Sequence, residues 1–138
     1  HRFGRFVFAA IWPAAPAAGG LRRIGLLNPA SNRGSAYFEE DTAGALLCVS
    51  HGDQGDTQAT TITAQFDTVS WFNQEVRYGI DWEPDLVRFW ARDSDGDQIL
   101  ATHAAQVGSI PQAIEVRNDK VDNFDVAYVA TERGEQVI

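Results

Sequence analysis

The fold class is decided by one continuous stretch, which reads Tyr78-Gly79-Ile80-Asp81-Trp82-Glu83-Pro84-Asp85-Leu86-Val87-Arg88-Phe89-Trp90. Before the proline, apolar residues alternate with polar residues or glycine, and after it Val87 and Phe89 lie opposite Arg88 and Trp90, which is the period-two pattern of strands. Pro84 presets the backbone for the second position of a β-turn. The stretch therefore predicts two antiparallel strands joined by a tight turn, with Tyr78, Ile80 and Trp82 facing the core.

The same alternation extends outward in both directions and predicts about nine short strands separated by turn signals, with no convincing helical periodicity. The segment Thr57–Phe66 is rich in β-branched residues and is predicted to be a strand. The last two predicted strands, Gln112–Asn118 and Asn123–Thr131, are expected to form a pair. The expected inward face of the final strand consists of Phe124, Val126, Tyr128 and Ala130.

Composition limits the class of protein before any motif is considered. The 138 residues fit one domain, 1–138, and the net charge of −8 disfavours a nucleic-acid partner, because no basic stripe is present to displace counterions. The longest apolar run in a strand-like segment, Ala45–Val49, is too short to span a bilayer, so we expect no membrane partner. The single cysteine, Cys48, excludes an internal disulfide and is expected to be a buried small hydrophobe.

Three alternating aspartates, Asp93, Asp95 and Asp97, resemble the first ligands of a calcium-binding loop. An EF-hand loop that begins at Asp93 would need glycine at its sixth position and a bidentate glutamate at its twelfth. In this sequence the glycine is fourth and the twelfth residue is Ala104. We therefore interpret the aspartates as the solvated tip of a hairpin and predict no metal and no cofactor; calcium binding by these three residues remains the alternative.

The three histidines and the serine next to one of them give no recognisable catalytic or metal-binding pattern. His1, His51 and His103 are widely spaced, at a terminus or at strand ends, and are expected to be surface or half-buried residues. Ser50 and His51 are adjacent, so they face opposite sides of a strand and cannot form a Ser–His relay with each other.

The stretch from Tyr78 to Trp90 resembles the strand-turn-strand signature of concanavalin A-like β-sandwiches. In laminarinase-like glycoside hydrolases of family 16 this signature reads approximately Y-x-I-x-W-x-P-x-x-I-x-F/W-Y. The features that follow it keep the order found in that family, and the chain also begins with a similar first core strand. These matches are Asp95-Gly96, Ile110–Val116, Phe124–Val129 and Phe3-Gly4-Arg5-Phe6. The resemblance implies an all-β fold, an antiparallel two-sheet jelly-roll β-sandwich.

The sequence departs from family 16 at the catalytic motif, which is E-x-D-x-x-E on one strand. The corresponding segment, Ala36–Gly44, places Glu39 and Asp41 on one face and Glu40 on the other, and no third carboxylate follows at the required position. The acidic cluster is interpreted as a solvated strand end before a turn. We assign no catalytic residue, and a reduced β-glucanase that uses Glu39 and Asp41 remains an alternative.

A second resemblance covers the middle of the chain. The run Gly20–Asn28, which contains R-R-I-G-L, and the later Tyr37-Phe38-Glu39 are similar to "R-R-I-G-L-F-D…N-G-Y-F-F-E" in concanavalin A-like virion proteins of tailed viruses. This resemblance implies a non-enzymatic structural or adhesion domain that decorates or cements a capsid, or forms part of a fibre. The implied location is virion or extracellular, and the implied partners are other virion subunits or a second copy of the chain.

One aromatic residue is a candidate for binding a ligand or a partner. Alternation places Trp90 opposite the Val87 face, between Arg88 and Arg92, and an exposed tryptophan between arginines can stack on a sugar ring or anchor a subunit. Intramolecular packing of Trp90 under a covering segment is an equal alternative. Together with Glu39, these residues are the candidate binding residues of a carbohydrate-binding module, the second functional hypothesis.

Overall fold

A computed structural model describes residues 2–13, 19–28, 30–69, 71–107, 112–121 and 123–135 of the chain. These residues form ten β-strands and one short helix. The strands are β1 Arg2–Ile11, β2 Arg22–Leu27, β3 Ser35–Glu40, β4 Leu46–His51, β5 Thr57–Thr61, β6 Glu75–Glu83, β7 Leu86–Asp93, β8 Gly96–His103, β9 Ala113–Asn118 and β10 Asp125–Glu135, and the helix is α1 Thr63–Val69.

The strands form two five-stranded antiparallel sheets that face each other across an apolar core. Sheet A has the order β10-β1-β6-β7-β8, and sheet B has the order β5-β4-β3-β2-β9. The runs β2 to β5 and β6 to β8 each pair with their neighbours in sequence, whereas the other connections cross from one sheet to the other. The prediction of an all-β chain with two antiparallel sheets is confirmed.

The core includes Tyr78, Ile80 and Trp82, which the alternation had placed on the inward face, together with residues on the same face of the neighbouring strands. From β1, β6 and β7 these residues are Phe6, Phe8, Ala10, Val76, Tyr78, Ile80, Trp82, Val87, Phe89 and Ala91. Sheet B contributes Ile24, Leu26, Phe38 and Cys48, so the buried position predicted for the cysteine is confirmed. Burial of one face of each sheet is the main favourable contribution to folding.

The predicted strand Thr57–Phe66 is wrong beyond Thr61, where the chain turns into α1. The Thr63 hydroxyl accepts a 2.9 Å hydrogen bond from the Leu46 amide, which fixes the start of the helix against β4. Phe66 is completely buried and stacks on Tyr78, with ring centroids 5.8 Å apart. Packing of this phenylalanine into one end of the core has overridden the local strand propensity.

The two last strands do not pair with each other, contrary to the prediction. The chain crosses between the sheets after β9, so β9 pairs with β2 in sheet B and β10 pairs with β1 in sheet A. A register shift opposite Ala9 and Ala10 then changes the phase of β10: Val126 packs against the core, whereas Ala130 pairs with Val7 and is exposed. A bulge of this kind moves every later side chain to the opposite face.

Some predicted features lie outside the described residues. These features are His1, part of the Pro13–Gly20 loop, the Ile110-Pro111 dipeptide and the side chain of Tyr128. Among the helices that the structure describes, none is long and apolar enough to cross a bilayer.

Candidate functional site

Trp90 lies on the outer face of sheet A, as the alternation predicted, but its indole is covered. The side chain is only 4% exposed, because Arg5 and Arg92 place their guanidinium groups 5.3 and 5.5 Å from the ring centroid. The ring also lies on Gly79, and the indole nitrogen donates a 3.0 Å hydrogen bond to Asp81. Of the two alternatives for Trp90, the structure shows intramolecular packing, which leaves no free ring face for a sugar.

The arginines around this indole are bound to carboxylates of the same sheet. Arg5 forms a two-pronged ion pair with Asp81, at 2.8 and 2.9 Å. Arg92 pairs with Asp97 in the same way, and the hydrogen bond from Arg92 lowers the pKa of Asp97. Arg88 lies beside Glu83, with 3.7 Å between the nearest charged atoms. Because residues 88, 90 and 92 alternate along β7, the predicted binding residues Arg88 and Arg92 lie on the same face as Trp90.

Glu39 belongs to the opposite face of the sandwich, so it cannot share a site with Trp90. Its carboxylate is on the outer face of sheet B, where it accepts hydrogen bonds from Arg23 at 2.7 and 3.2 Å. The Arg23 guanidinium also lies 4.3 Å from the centre of the Tyr37 ring. Tyr37 packs with Leu27, Leu47 and Val49 in a second small apolar cluster outside the main core.

The acidic segment after Phe38 is built differently from the solvated strand end that was predicted. Glu40 is buried and pairs with Arg22 at 2.9 Å, and Lys120 lies 3.9 Å away. Asp41 turns back on its own loop, where its side chain accepts hydrogen bonds from the amides of Ala43 and Ala45. These carboxylates thus hold the fold together, and the interpretation of a solvated cluster is wrong for Glu40.

The R-R-I-G-L run and the Y-F-E triplet are adjacent strands of one structural unit. Arg22 stands directly opposite Glu40 and Arg23 directly opposite Glu39 in the β2–β3 ladder, so each arginine meets one glutamate, the first pair inside and the second outside. Gly25 faces Tyr37, and a Cβ atom on this glycine would lie 2.5 Å from the tyrosine Cβ. The side chains of this motif pack and pair with one another.

A buried Ser–His–Thr chain links the two sheets, and the sequence reasoning missed it. Ser50 Oγ lies 2.7 Å from Nδ1 of His103, and Nε2 of the same ring lies 2.8 Å from Thr60 Oγ1. Ser50 and His103 are separated by 53 positions, so no local pattern signals their contact. Ser50 is completely buried and cannot meet a substrate, and burial lowers the pKa of His103, which favours the neutral ring.

His51 also lies between two hydroxyl groups, on the outer face of sheet B. Its Nε2 lies 2.9 Å from the Tyr37 hydroxyl and its Nδ1 lies 2.8 Å from Thr57 Oγ1. Burial lowers the pKa of His51 and raises the pKa of Tyr37. Both histidines end their strands, as predicted, but the prediction of surface or half-buried side chains is wrong because both are buried.

The aspartates of the β7–β8 hairpin have partners within the protein. Asp93 accepts hydrogen bonds from the Trp71 indole at 3.0 Å, from Gln98 and from the Asp95 amide, and Asp97 is held by Arg92. In the part of the chain that the structure describes, no three His, Cys, Asp or Glu side chains are grouped so that they could hold a metal ion. Among these residues, Asp53, Asp56 and Asp85 line a shallow depression of about 280 Å³ together with Ala105 and Gln106, and they form no such group either.

The remaining candidate is the β9 edge of sheet B. Ile114 and Val116 stand opposite the core residues Leu26 and Ile24, so they lie on the face that the sheet turns toward the core. They are nevertheless 46% and 48% exposed. Among the described residues β9 pairs only with β2, which leaves its other side open. An exposed apolar edge strand is a template for pairing with another chain.

The neighbouring edge of sheet A has the same arrangement, since within the described ranges β10 pairs only with β1. Thr60 of β5 bonds to His103 at the end of β8, so these two edges lie together and β9 and β10 are at the opposite edges of their sheets. Val129 of β10 stands opposite the core residue Phe8, yet it is 38% exposed. We call Ile114, Val116 and Val129 the open edge.

Comparison of the chain with protein-family models finds no match, and comparison with curated proteins finds no match either.

Proposed function

We propose that the chain is a non-enzymatic structural or adhesion domain that joins a larger assembly through its open edge, and that this assembly is a viral particle. The single observation that carries the proposal is the exposure of core-side residues of β9, Ile114 and Val116. Apolar side chains on the inner face of a sandwich are normally covered, and exposed ones next to an unpaired strand favour a protein partner.

A non-enzymatic role is supported by the partners of the candidate catalytic groups. Glu39 is bound to Arg23, and the Asp41 carboxylate accepts two amide hydrogen bonds within its turn. A retaining glycosidase needs two carboxyl groups that flank a bound sugar, about 5–5.5 Å apart. The Ser50–His103 contact is buried away from solvent. The residues that resemble catalytic groups therefore stabilise the fold.

The viral and concanavalin A-like parts of the proposal are supported by sequence. The R-R-I-G-L and Y-F-E segments, which resemble those of tailed-virus virion proteins, are the paired strands β2 and β3. The stretch from Tyr78 to Trp90 that resembles concanavalin A-like sandwiches forms the β6–turn–β7 hairpin in sheet A. We therefore propose that the chain is a jelly-roll sandwich of this superfamily and that it serves to join a larger assembly.

The direct test is to find the chain in particles. Particles are purified on a density gradient from a culture that carries the gene, and the fractions are analysed by quantitative peptide mass spectrometry. We expect peptides of this chain to follow the major particle proteins in constant proportion through the gradient. Peptides that remain in the particle-free fractions would overturn the viral role.

Two further measurements test the alternatives. We expect no release of reducing sugar from laminarin, and hydrolysis by the wild-type chain that disappears in Glu39→Gln would establish the glucanase instead. On a glycan array, binding that is lost in Trp90→Ala but kept in Arg88→Ala would support a carbohydrate-binding module centred on the indole.

A further inference from the structure

We infer that the open edge binds a second copy of this chain, with β9 pairing antiparallel to β9 of the copy about a two-fold axis at Val116. The inference rests on the proposed function only in taking this edge as the joining surface. The two copies of sheet B would become one continuous ten-stranded sheet, and the flank of Val116, which is 48% exposed, would be covered by Val116 of the second copy. A closed two-fold contact also removes the exposed edge that each copy has alone.

The backbone of β9 is directed correctly for this pairing. The Asp119 amide donates a 2.9 Å hydrogen bond to the Leu21 carbonyl, which extends the β2–β9 ladder by one pair. Successive residues of an antiparallel strand direct their backbone groups to alternate sides. The backbone N–H and C=O groups of Glu115 and Arg117 therefore point toward β2, and those of Val116 point to the open side. At a two-fold axis on Val116, these groups would pair with the same groups of the copy.

The charges of β9 are complementary in this register. When Val116 faces Val116 of the second copy, Glu115 faces Arg117 of the second copy, and the symmetry repeats the pair on the other side. Both side chains are on the outer face and partly exposed: Glu115, whose Oε1 lies 3.8 Å from Arg23, is 34% exposed, and Arg117, which pairs with Asp119, is 49% exposed. Arg117 bonds to Asp119 of its own chain, and the remaining donors of its guanidinium can reach a second carboxylate.

Other registers are disfavoured by the same residues. An axis at Glu115 would place two glutamates face to face, and an axis at Arg117 would do the same with two arginines. Both are unfavourable because like charges directly opposite each other destabilise a strand pair. A shift of one residue would place the core-side residues of one copy beside the outer face of the other. Of the axes at Glu115, Val116 and Arg117, only the axis at Val116 opposes unlike charges; Val116 then lies beside Val116 of the second copy, and Ile114 lies beside Asn118 of the second copy.

The test is a charge exchange, read by sedimentation velocity over a concentration series of the full chain. We expect the wild type to dimerise reversibly. Glu115→Arg opposes arginine to arginine and Arg117→Glu opposes glutamate to glutamate, so each single variant should weaken the dimer about tenfold or more. An equimolar mixture of the two variants should dimerise again, because each arginine then meets a glutamate.

The mixture is also the folding control, since its recovery requires both variants to be folded; thermal unfolding of each variant alone is measured as well. A wild type that stays monomeric at high concentration would overturn the inference. A dimer that is insensitive to both substitutions, or two variants that fold but do not associate when mixed, would equally overturn it. These results are independent of the particle analysis, so failure of the dimer and failure of the viral role are distinguishable.

Discussion

The indole of Trp90 lies directly against Gly79 of the neighbouring strand: a Cβ atom at Gly79 would fall 2.0 Å from the ring. The missing side chain makes the space in which the ring lies flat on the sheet. Arg5 and Arg92 then cover the ring, and Asp81 binds its nitrogen. Side chains of the same sheet thereby bury a tryptophan on the outer face.

Gly79→Ala should destabilise the protein by about 1–3 kcal/mol, because the added methyl group overlaps the ring and forces it away from Asp81. The free energy of unfolding is measured by urea denaturation, and displacement of the indole should shift tryptophan emission to the red. The matched control is the same substitution in a Trp90→Ala background. There it should cost at least about 0.5 kcal/mol less, and equal costs would show that the contact with Trp90 is not the cause.

Glu40→Gln should destabilise the protein by about 3 kcal/mol or more, because it removes a buried negative charge that pairs with the buried Arg22 and lies beside Lys120. The adjacent substitution Glu39→Gln is the control. It removes the same charge from a pair that is partly exposed, and it should cost about 1 kcal/mol or less. Similar losses of unfolding free energy in the two variants would contradict the difference in burial.

Stability should decrease as the pH falls from about 7.5 to about 5.5, because both buried histidines have lowered pKa values. Above the ordinary value of 6.5 the folded and unfolded chains are both neutral at His103. Below it the unfolded chain binds a proton that the folded chain does not, which favours unfolding.

The urea midpoint at several pH values measures this dependence. His103→Gln should lower the midpoint at every pH, through loss of the contacts with Ser50 and Thr60, but should flatten its slope with pH. A second substitution, His51→Gln, should flatten the slope further. A slope that is unchanged in the double variant would show that neither imidazole is responsible.

Tyr78→Phe should stabilise the protein by about 1 kcal/mol, whereas Tyr37→Phe should destabilise it by a similar amount. The hydroxyl of Tyr78 is buried in the core and has no hydrogen-bond partner among the residues that the structure describes, and burial raises its pKa. The hydroxyl of Tyr37 bonds to His51. Thermal unfolding of both variants under the same conditions checks the opposite signs, and a destabilised Tyr78→Phe would indicate a partner for that hydroxyl.

Prediction from the sequence was accurate where a single strand decides the outcome. The inward faces of β1, β6 and β7 follow from alternation, and so does the position of Trp90 on the outer face. It was wrong at Phe66, because a helix can bury a phenylalanine at one end of the core as well as a strand can. It was also wrong at Ala130, because a bulge earlier in β10 changes the phase without a local signal.

What the sequence alone determined is the all-β class and the side of each strand that is buried, because both depend on the period-two pattern of neighbouring residues. Only the tertiary structure decided which strands are neighbours. Strand order brings Arg22 to Glu40 inside the sandwich, separates Glu39 from Trp90, and joins Ser50 to His103. These contacts, like the exposure of Val116, depend on how distant segments pack, and no local spacing of residues encodes that packing.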